Sequence, residues 1–301
     1  MGRLAALLGR AALIAAVVGA VLALPAQAAP GDRPILFDSN RGGQVDLWRM
    51  NSDGSGLTRL TNDKVEDRFA ALSPNGKLIA WTRGGFGPAA EIWVMNSNGT
   101  GRRQVTFNQF PEIRVSWSPD GTKLSYRSTR DGNADIYTIN IDGTGEQRLT
   151  TDPANDAFAD WSPDGTRVAF TSDRSGTSAV YTMATDGSDV RRLTPDSLQA
   201  GQPQWSPDMR LAFADGFCAT CGESDIWVMN ADGSGATQVT NTAENELPGG
   251  WSKDGTRIAV DFSTLTPGHL SKGDIAVVAV VSGATTNLTN TSGINEEHPN
   301  W

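Results

Sequence analysis

The chain has 301 residues, 38% of them hydrophobic and 20% charged, with a formal net charge of −9. That balance excludes a disordered chain, and the acidic surface argues against non-specific association with nucleic acid or anionic lipid. Two cysteines and two histidines exclude a multi-disulfide scaffold and a histidine-rich metal site.

The first predicted element is a leader. Arg3 and Arg10 frame a short basic segment, Ala11 to Leu24 is an unbroken apolar run, Pro25 ends it, and Ala26-Gln27-Ala28 forms a small-x-small cleavage point. This pattern predicts a secretory signal peptide over residues 1–28. Ala11 to Leu24 is 14 residues, short of the roughly 20 that a spanning helix needs, so no membrane span is expected. With both arginines removed, the remainder carries a formal charge of −11. The expected location is the periplasm or the extracellular space.

From residue 29 onward the sequence repeats. Trp117-Ser-Pro-Asp-Gly121 recurs as Trp161-Ser-Pro-Asp-Gly165, as Trp205-Ser-Pro-Asp208 followed by Met209, and as Trp251-Ser-Lys-Asp-Gly255. An earlier copy reads Leu72-Ser-Pro-Asn-Gly76, and Trp301 starts another. The spacings are 45, 44, 44, 46 and 50, the period of a four-stranded propeller blade. After each turn comes an apolar strand such as Leu78-Ile-Ala-Trp81 or Val168-Ala-Phe170. A second follows, such as Glu91-Ile-Trp-Val94 or Asp225-Ile-Trp-Val228, and a short strand ends on Leu60-Thr61, Val105-Thr106 and their counterparts. Pro presets φ for one turn position and Gly takes the left-handed one. Met209 stands where Gly is wanted, which predicts strain there. Asn51 to Gly56 and Asn140 to Gly145 lack the third acidic ligand and distal Glu of a Ca²⁺ loop, so they read as hairpin turns.

Six repeats of about 45 residues fill residues 29–301. The fold predicted is all-β, a six-bladed propeller of four-stranded antiparallel blades. The first strand, Ile35-Leu-Phe37, lacks its own inner strand. Glu297 to Trp301 supplies one, so the C-terminal strand closes the ring. These motifs resemble the TolB-type (WD40-like, PD40) β-propeller repeat, and the resemblance covers essentially all of the chain after the leader. It implies the same fold. TolB itself carries an α/β domain ahead of its propeller, used in contacts with the Tol machinery. Here about six residues separate the expected cleavage point from the first strand, so the resemblance extends to the propeller alone.

With strands a to d numbered from inside to outside, the a–b and c–d turns are short and share one face. The b–c and d–a loops open on the other, and Gly84 to Ala90, Asp215 to Ser224 and Ser263 to Gly273 make that face irregular. Function on repeat scaffolds concentrates on such a face. Five residues before each Trp position stand Asp67, Glu112, Asp156, Ala200, Glu246 and Glu296. The five carboxylates would form an acidic ring at the channel mouth. Two readings stand: a site for a cation, with Ca²⁺ suited to carboxylate oxygens, or for a partner's Lys or Arg; or local capping of loop amides. The Trp column (Trp117, Trp161, Trp205, Trp251, Trp301) reads as inter-blade packing. Cys218 and Cys221, in a b–c loop of an exported chain, read as a small-loop disulfide.

Catalysis has little sequence support. There is no Gly-x-Ser-x-Gly elbow and no His-x-x-x-His pair, so no catalytic residue is assigned, although His269 and His298 offer bases. The function expected is an exported, non-catalytic binding or scaffold propeller. It would be a monomer that docks a protein, peptide or glycan on its loop-rich face. The alternative is a propeller lyase or hydrolase working at the channel mouth.

Overall fold

A computed structural model describes residues 32–216, 223–266, 269–270 and 273–301, and its regular structure is almost wholly β, with one 3-10 turn at Asp196–Leu198. The strands form six antiparallel sheets, each running from an inner strand a to an outer strand d. Blade 1 is Glu296–Asn300, Ile35–Ser39, Asp46–Met50 and Thr58–Arg59. Blade 2 is Asp67–Leu72, Leu78–Arg83, Glu91–Asn96 and Arg103–Gln104. Blade 3 is Glu112–Trp117, Lys123–Ser128, Asp135–Asn140 and Gln147–Arg148. Blade 4 is Asp156–Trp161, Arg167–Ser172, Ala179–Ala184 and Arg191–Arg192. Blade 5 is Gly201–Trp205, Arg210–Ala214, Ile226–Asn230 and Thr237–Gln238. Blade 6 is Glu244–Trp251, Arg257–Thr266, Asp274–Ala279 and Thr285–Asn287, with His269–Leu270 paired to the far end of its long second strand.

The ring closes as the repeat phase requires. Glu296–Asn300 pairs antiparallel with Ile35–Ser39, Leu36 opposite Asn300 and Ser39 opposite Glu296. The closing strand begins one residue earlier than the sequence suggests, and Trp301 lies just past its end.

Successive strand residues face opposite sides of a sheet, so each blade feeds two interfaces. Ile35 and Phe37 pack with Trp301 on Ala259, Ile275 and Val277 of blade 6. Leu36, between them, packs with Leu47 on Ala70, Ile79 and Trp81 of blade 2. Burial on both faces explains the continuous apolar runs. The Trp column is interface packing: the Trp117 indole N–H donates to the Ala71 carbonyl of the preceding blade at 2.9 Å, and Trp251 does the same to Gln204 at 3.0 Å.

The Leu-Thr ending of each repeat is a strand pin. The hydroxyls of Thr61, Thr106, Thr150, Thr194, Thr240 and Thr289 each accept the backbone N–H at the start of the c strand, at 2.8–3.0 Å. In five blades the hydroxyl also donates to a carboxylate opening that strand: Asp46, Glu91, Asp135, Asp225 or Asp274. The Asn51 and Asn140 turns are hairpins in which Asp53 and Asp142 accept nearby N–H groups.

In the a–b turns, Gly76, Gly121, Gly165 and Gly255 have φ of 70°, 71°, 70° and 68°, and Met209 is held at 67°. A non-glycine residue there costs about 1–2 kcal/mol. Met209→Gly is therefore expected to raise unfolding free energy by about 1 kcal/mol after the added unfolded-state entropy of Gly. Urea denaturation reads this, and a loss of stability would contradict the strain.

Candidate functional site

The structure places the predicted acidic ring inside the blade interfaces. Asp67, Glu112, Asp156, Glu246 and Glu296 are all fully buried, as is Ala200 in the sixth position. In four blades an arginine of the same blade supplies the positive charge that the sequence reading sought from a bound cation or a partner. Arg83 bonds Asp67 at 3.1 Å, Arg130 bonds Glu112 at 3.0 Å, Arg174 bonds Asp156 at 2.9 Å, and Arg41 bonds Glu296. Trp81 also donates to Asp67 at 2.7 Å. Burial still dominates, pushing Asp67 and Asp156 above the usual carboxylate range and Glu112 up to about 7. Glu246 differs: among the described residues its side chain meets hydroxyls and no arginine, and burial raises it, helped by Asp225 and Glu244. The carboxylates are thus distributed one to each of five blades, with Ala200 in the remaining one, and all are buried.

What faces the axis is the residue two positions further along each inner strand. Phe69, Arg114, Phe158, Gln202 and His298 have φ of 56°, 60°, 57°, 54° and 55°. Each sits in a register shift between strands a and b. This bulge interrupts alternation and turns the residue into the channel, where Phe69, Arg114, Phe158, Gln202 and His298 line one cavity with Pro248. Blade 6 has Pro248 at this level, whose ring cannot take a positive φ. Five non-glycine residues held left-handed at one level of the channel store strain of the kind that marks functional sites.

Charge around the channel is divided. On the blade 1 and 6 side, Asp38 bonds His298 Nδ1 at 3.0 Å and Arg68 at 3.2 Å, and Arg68 also bonds Glu297 at 2.9 Å. Asp261 is pushed well above the usual carboxylate range by burial, then by Glu297 and Asp38. Asp38, Glu297 and His298 bring donor atoms within 4.8 Å of one another, but Arg68 already bonds both carboxylates. On the blade 3 side, the Arg114 guanidinium lies 4.1 Å from the Phe158 ring centre and 4.6 Å from that of Phe69. Burial lowers it to about 10. Arg127, in the neighbouring strand, is lowered by burial too.

Deeper in the channel, Asp160 joins three blades, accepting from the Ser116 hydroxyl at 2.9 Å and from the Trp205 N–H at 2.7 Å. Burial raises it to about 6 from 3.8. Between those values the native state keeps a proton that the unfolded chain releases, so stability falls as pH rises through that window and is flat above it. Asp160→Asn should remove the loss, gaining up to about 3 kcal/mol over wild type at pH 7 and little at pH 3.5. Denaturant titrations at both pH values test this, and a parallel offset at the two would contradict it.

The loop-rich face carries an apolar rim. Phe86, Phe107 and Phe110 are 58%, 76% and 45% exposed, in the b–c loop of blade 2 and the d–a loop leading to blade 3. Phe86 meets Phe69 edge-on, 5.4 Å between ring centres, so the rim is continuous with the channel wall. The opposite mouth is a cavity of about 390 Å³ walled by the tryptophan column and by Pro74, Pro119, Pro163 and Pro207.

Of the residues that line this channel cavity, sequence reading singled out His298 and missed Phe69, Arg114, Phe158 and Gln202. A signal was present: two residues after each ring position the repeats read Phe, Arg, Phe, Gln, Pro, His, while their flanks repeat. His269 lies in the blade 6 hairpin. Cys218 and Cys221, with the expected disulfide, and the leader lie outside the described residues.

Residues 88–215 match the protein family described as PD40, TolB beta propeller domain. The structure superposes on TolB from Acinetobacter baumannii with a TM-score of 0.75 at 20% identity, covering 89% of this chain and 66% of that one. The chain therefore spans about two thirds of that protein's length. It also superposes on an oligogalacturonate lyase from Vibrio parahaemolyticus, with a TM-score of 0.60 at 14% identity, covering 86% and 75%. An uncharacterised protein of Agrobacterium fabrum is 38% identical over 52 residues, 17% of this chain and 18% of that protein. At these identities the superpositions speak for the fold. The chain is a six-bladed propeller whose residues 88–215 are similar to the TolB beta propeller domain.

Proposed function

We propose that this TolB-like propeller is an exported, non-catalytic docking module that holds a protein or peptide partner on its loop-rich face, over the channel mouth. The observation that carries the reading is the rim of exposed phenylalanines, Phe86, Phe107 and Phe110, running into a channel wall kept in strained backbone. Exposed aromatics beside a polar, charged opening match the composition of protein interfaces, where such side chains supply most of the binding energy. No helix among the described residues is long and apolar enough to cross a membrane. The test is affinity capture from the envelope fraction of the source cell. The Phe107→Ser/Phe110→Ser variant should lose a partner that wild type retains, by at least tenfold, with an unchanged melting temperature. Equal capture by both proteins would contradict the reading.

A second reading, a lyase or hydrolase, rests on one contact. Asp38 orients His298 through Nδ1, the arrangement that prepares an imidazole as a general base, and one structural neighbour is a lyase acting on an acidic oligosaccharide. Incubation with oligogalacturonate tests it directly: release of an unsaturated product, abolished in His298→Ala, would favour this reading over docking.

A further inference from the structure

Arg114 and Arg127 stand apart from the other arginines of the chain. Every other arginine among the described residues makes a hydrogen bond or an ion pair. Arg33, Arg49, Arg102 and Arg103 reach backbone carbonyls, and the rest meet carboxylates. Arg114 and Arg127 make neither among the described residues. They are adjacent, on the inner and second strands of blade 3, and both line one cavity of about 290 Å³ between blades 3 and 4.

Two half-buried guanidiniums facing one space with no directly bonded carboxylate repel each other and lose hydration; Asp38, Asp261 and Glu297 act on Arg114 only through space. Arg114 is further fixed by the rings of Phe69 and Phe158, so it cannot turn away at little cost. The remaining wall is mixed. Ile113, Ala157 and Phe158 are apolar, and Asp173 is the one carboxylate. Asp173 forms no ion pair with either arginine among the described residues; both its oxygens accept from Asn155, at 2.7 and 3.0 Å.

We infer that this cavity is a binding site for a single carboxylate carried on an apolar body. The planar guanidinium fork matches a carboxylate's two oxygens, and the apolar wall takes the body behind it. Asp173 in the same wall disfavours a doubly charged phosphate more than a singly charged carboxylate. The inference rests on the docking reading, since it names the chemistry that a partner would place at this side of the mouth.

The probe is benzoate, titrated calorimetrically against the whole chain, with inorganic phosphate alongside. Saturable benzoate binding is expected, weakened at least tenfold in Arg127→Met and in Arg114→Met, with phosphate binding weaker than benzoate. Arg127 supports no hydrogen-bonded or ion-paired partner among the described residues, so Arg127→Met should keep or raise the melting temperature. A fall of several degrees would mark a structural role and overturn the assignment. Absence of saturation, an unchanged affinity in Arg127→Met, or phosphate binding tighter than benzoate would each overturn it too. The two readings fail separately. Loss of benzoate binding with partner capture intact overturns this inference alone. Loss of capture by the Phe107→Ser/Phe110→Ser variant with its benzoate affinity unchanged supports the site. Equal capture there sinks the docking reading alone.

Discussion

Removing residues 296–301 should leave a chain that does not melt cooperatively. The deletion takes away the inner strand of blade 1, and with it the backbone pairing to Ile35–Ser39. Ile35, Leu36 and Phe37, all fully buried, would then line an open sheet edge. Trp301 goes as well, and it packs blade 1 on Ala259, Ile275 and Val277 of blade 6. Loss of one buried tryptophan costs about 3–5 kcal/mol, and the strand adds to that, against a total stability of about 5–15 kcal/mol. Circular dichroism melts and gel filtration read the outcome. A truncated protein melting within a few degrees of the full chain would show that the ring does not depend on this closure.

The second large effect is expected at the buried ion pairs. Asp156 is fully buried and meets Arg174 through two bonds of 2.9 and 3.0 Å. Arg174→Ala leaves that carboxylate uncompensated, which costs about 3–5 kcal/mol. For a chain of this size the melting temperature should fall by roughly 5–9 °C. Arg174→Ala/Asp156→Asn should recover part of the loss, because the neutral amide no longer needs a cation. A shift below 2 °C in the single variant would mean that water, not Arg174, satisfies Asp156. The same logic locates any Ca²⁺ response of the ring. Glu246 has no arginine among the described residues, so a Ca²⁺-induced rise in melting temperature should vanish in Glu246→Gln and persist in Glu112→Gln. Loss of the response in Glu112→Gln instead would place the ion where Arg130 sits.

The architecture was legible because it is written six times. The repeat period set the blade, and the phase of Ile35 against Trp301 set the closure. Met209 in a glycine position announced its left-handed backbone before any coordinate did. The direction of the ring carboxylates was not legible. Strand position places Glu112 near the loop-rich end, but strict alternation would point Glu112 and Arg114 the same way. The bulge after Ile113 breaks that rule, burying Glu112 against Arg130 and turning Arg114 toward the axis. Nothing local in Ile-Arg-Val announces a bulge, since Arg, Phe and Gln are all poor left-handed residues, and only His298 is of a type enriched there. The conformation is imposed by neighbouring blades, and so it emerges only with the whole ring. The pairing arginines sit at or just beyond strand b: Arg83, Arg130 and Arg174 follow their carboxylates by 16, 18 and 18 residues, and Arg41 meets Glu296 only through the ring closure.

The central claim, that the loop-rich mouth is the working face, is tested most directly by photo-crosslinking in the source cell. A photoreactive residue placed at Phe107, 76% exposed on that face, is compared with one at Val281, 98% exposed in a c–d turn on the other. A discrete adduct at position 107, absent at position 281, is the predicted result. An adduct at position 281 with none at 107 would contradict it.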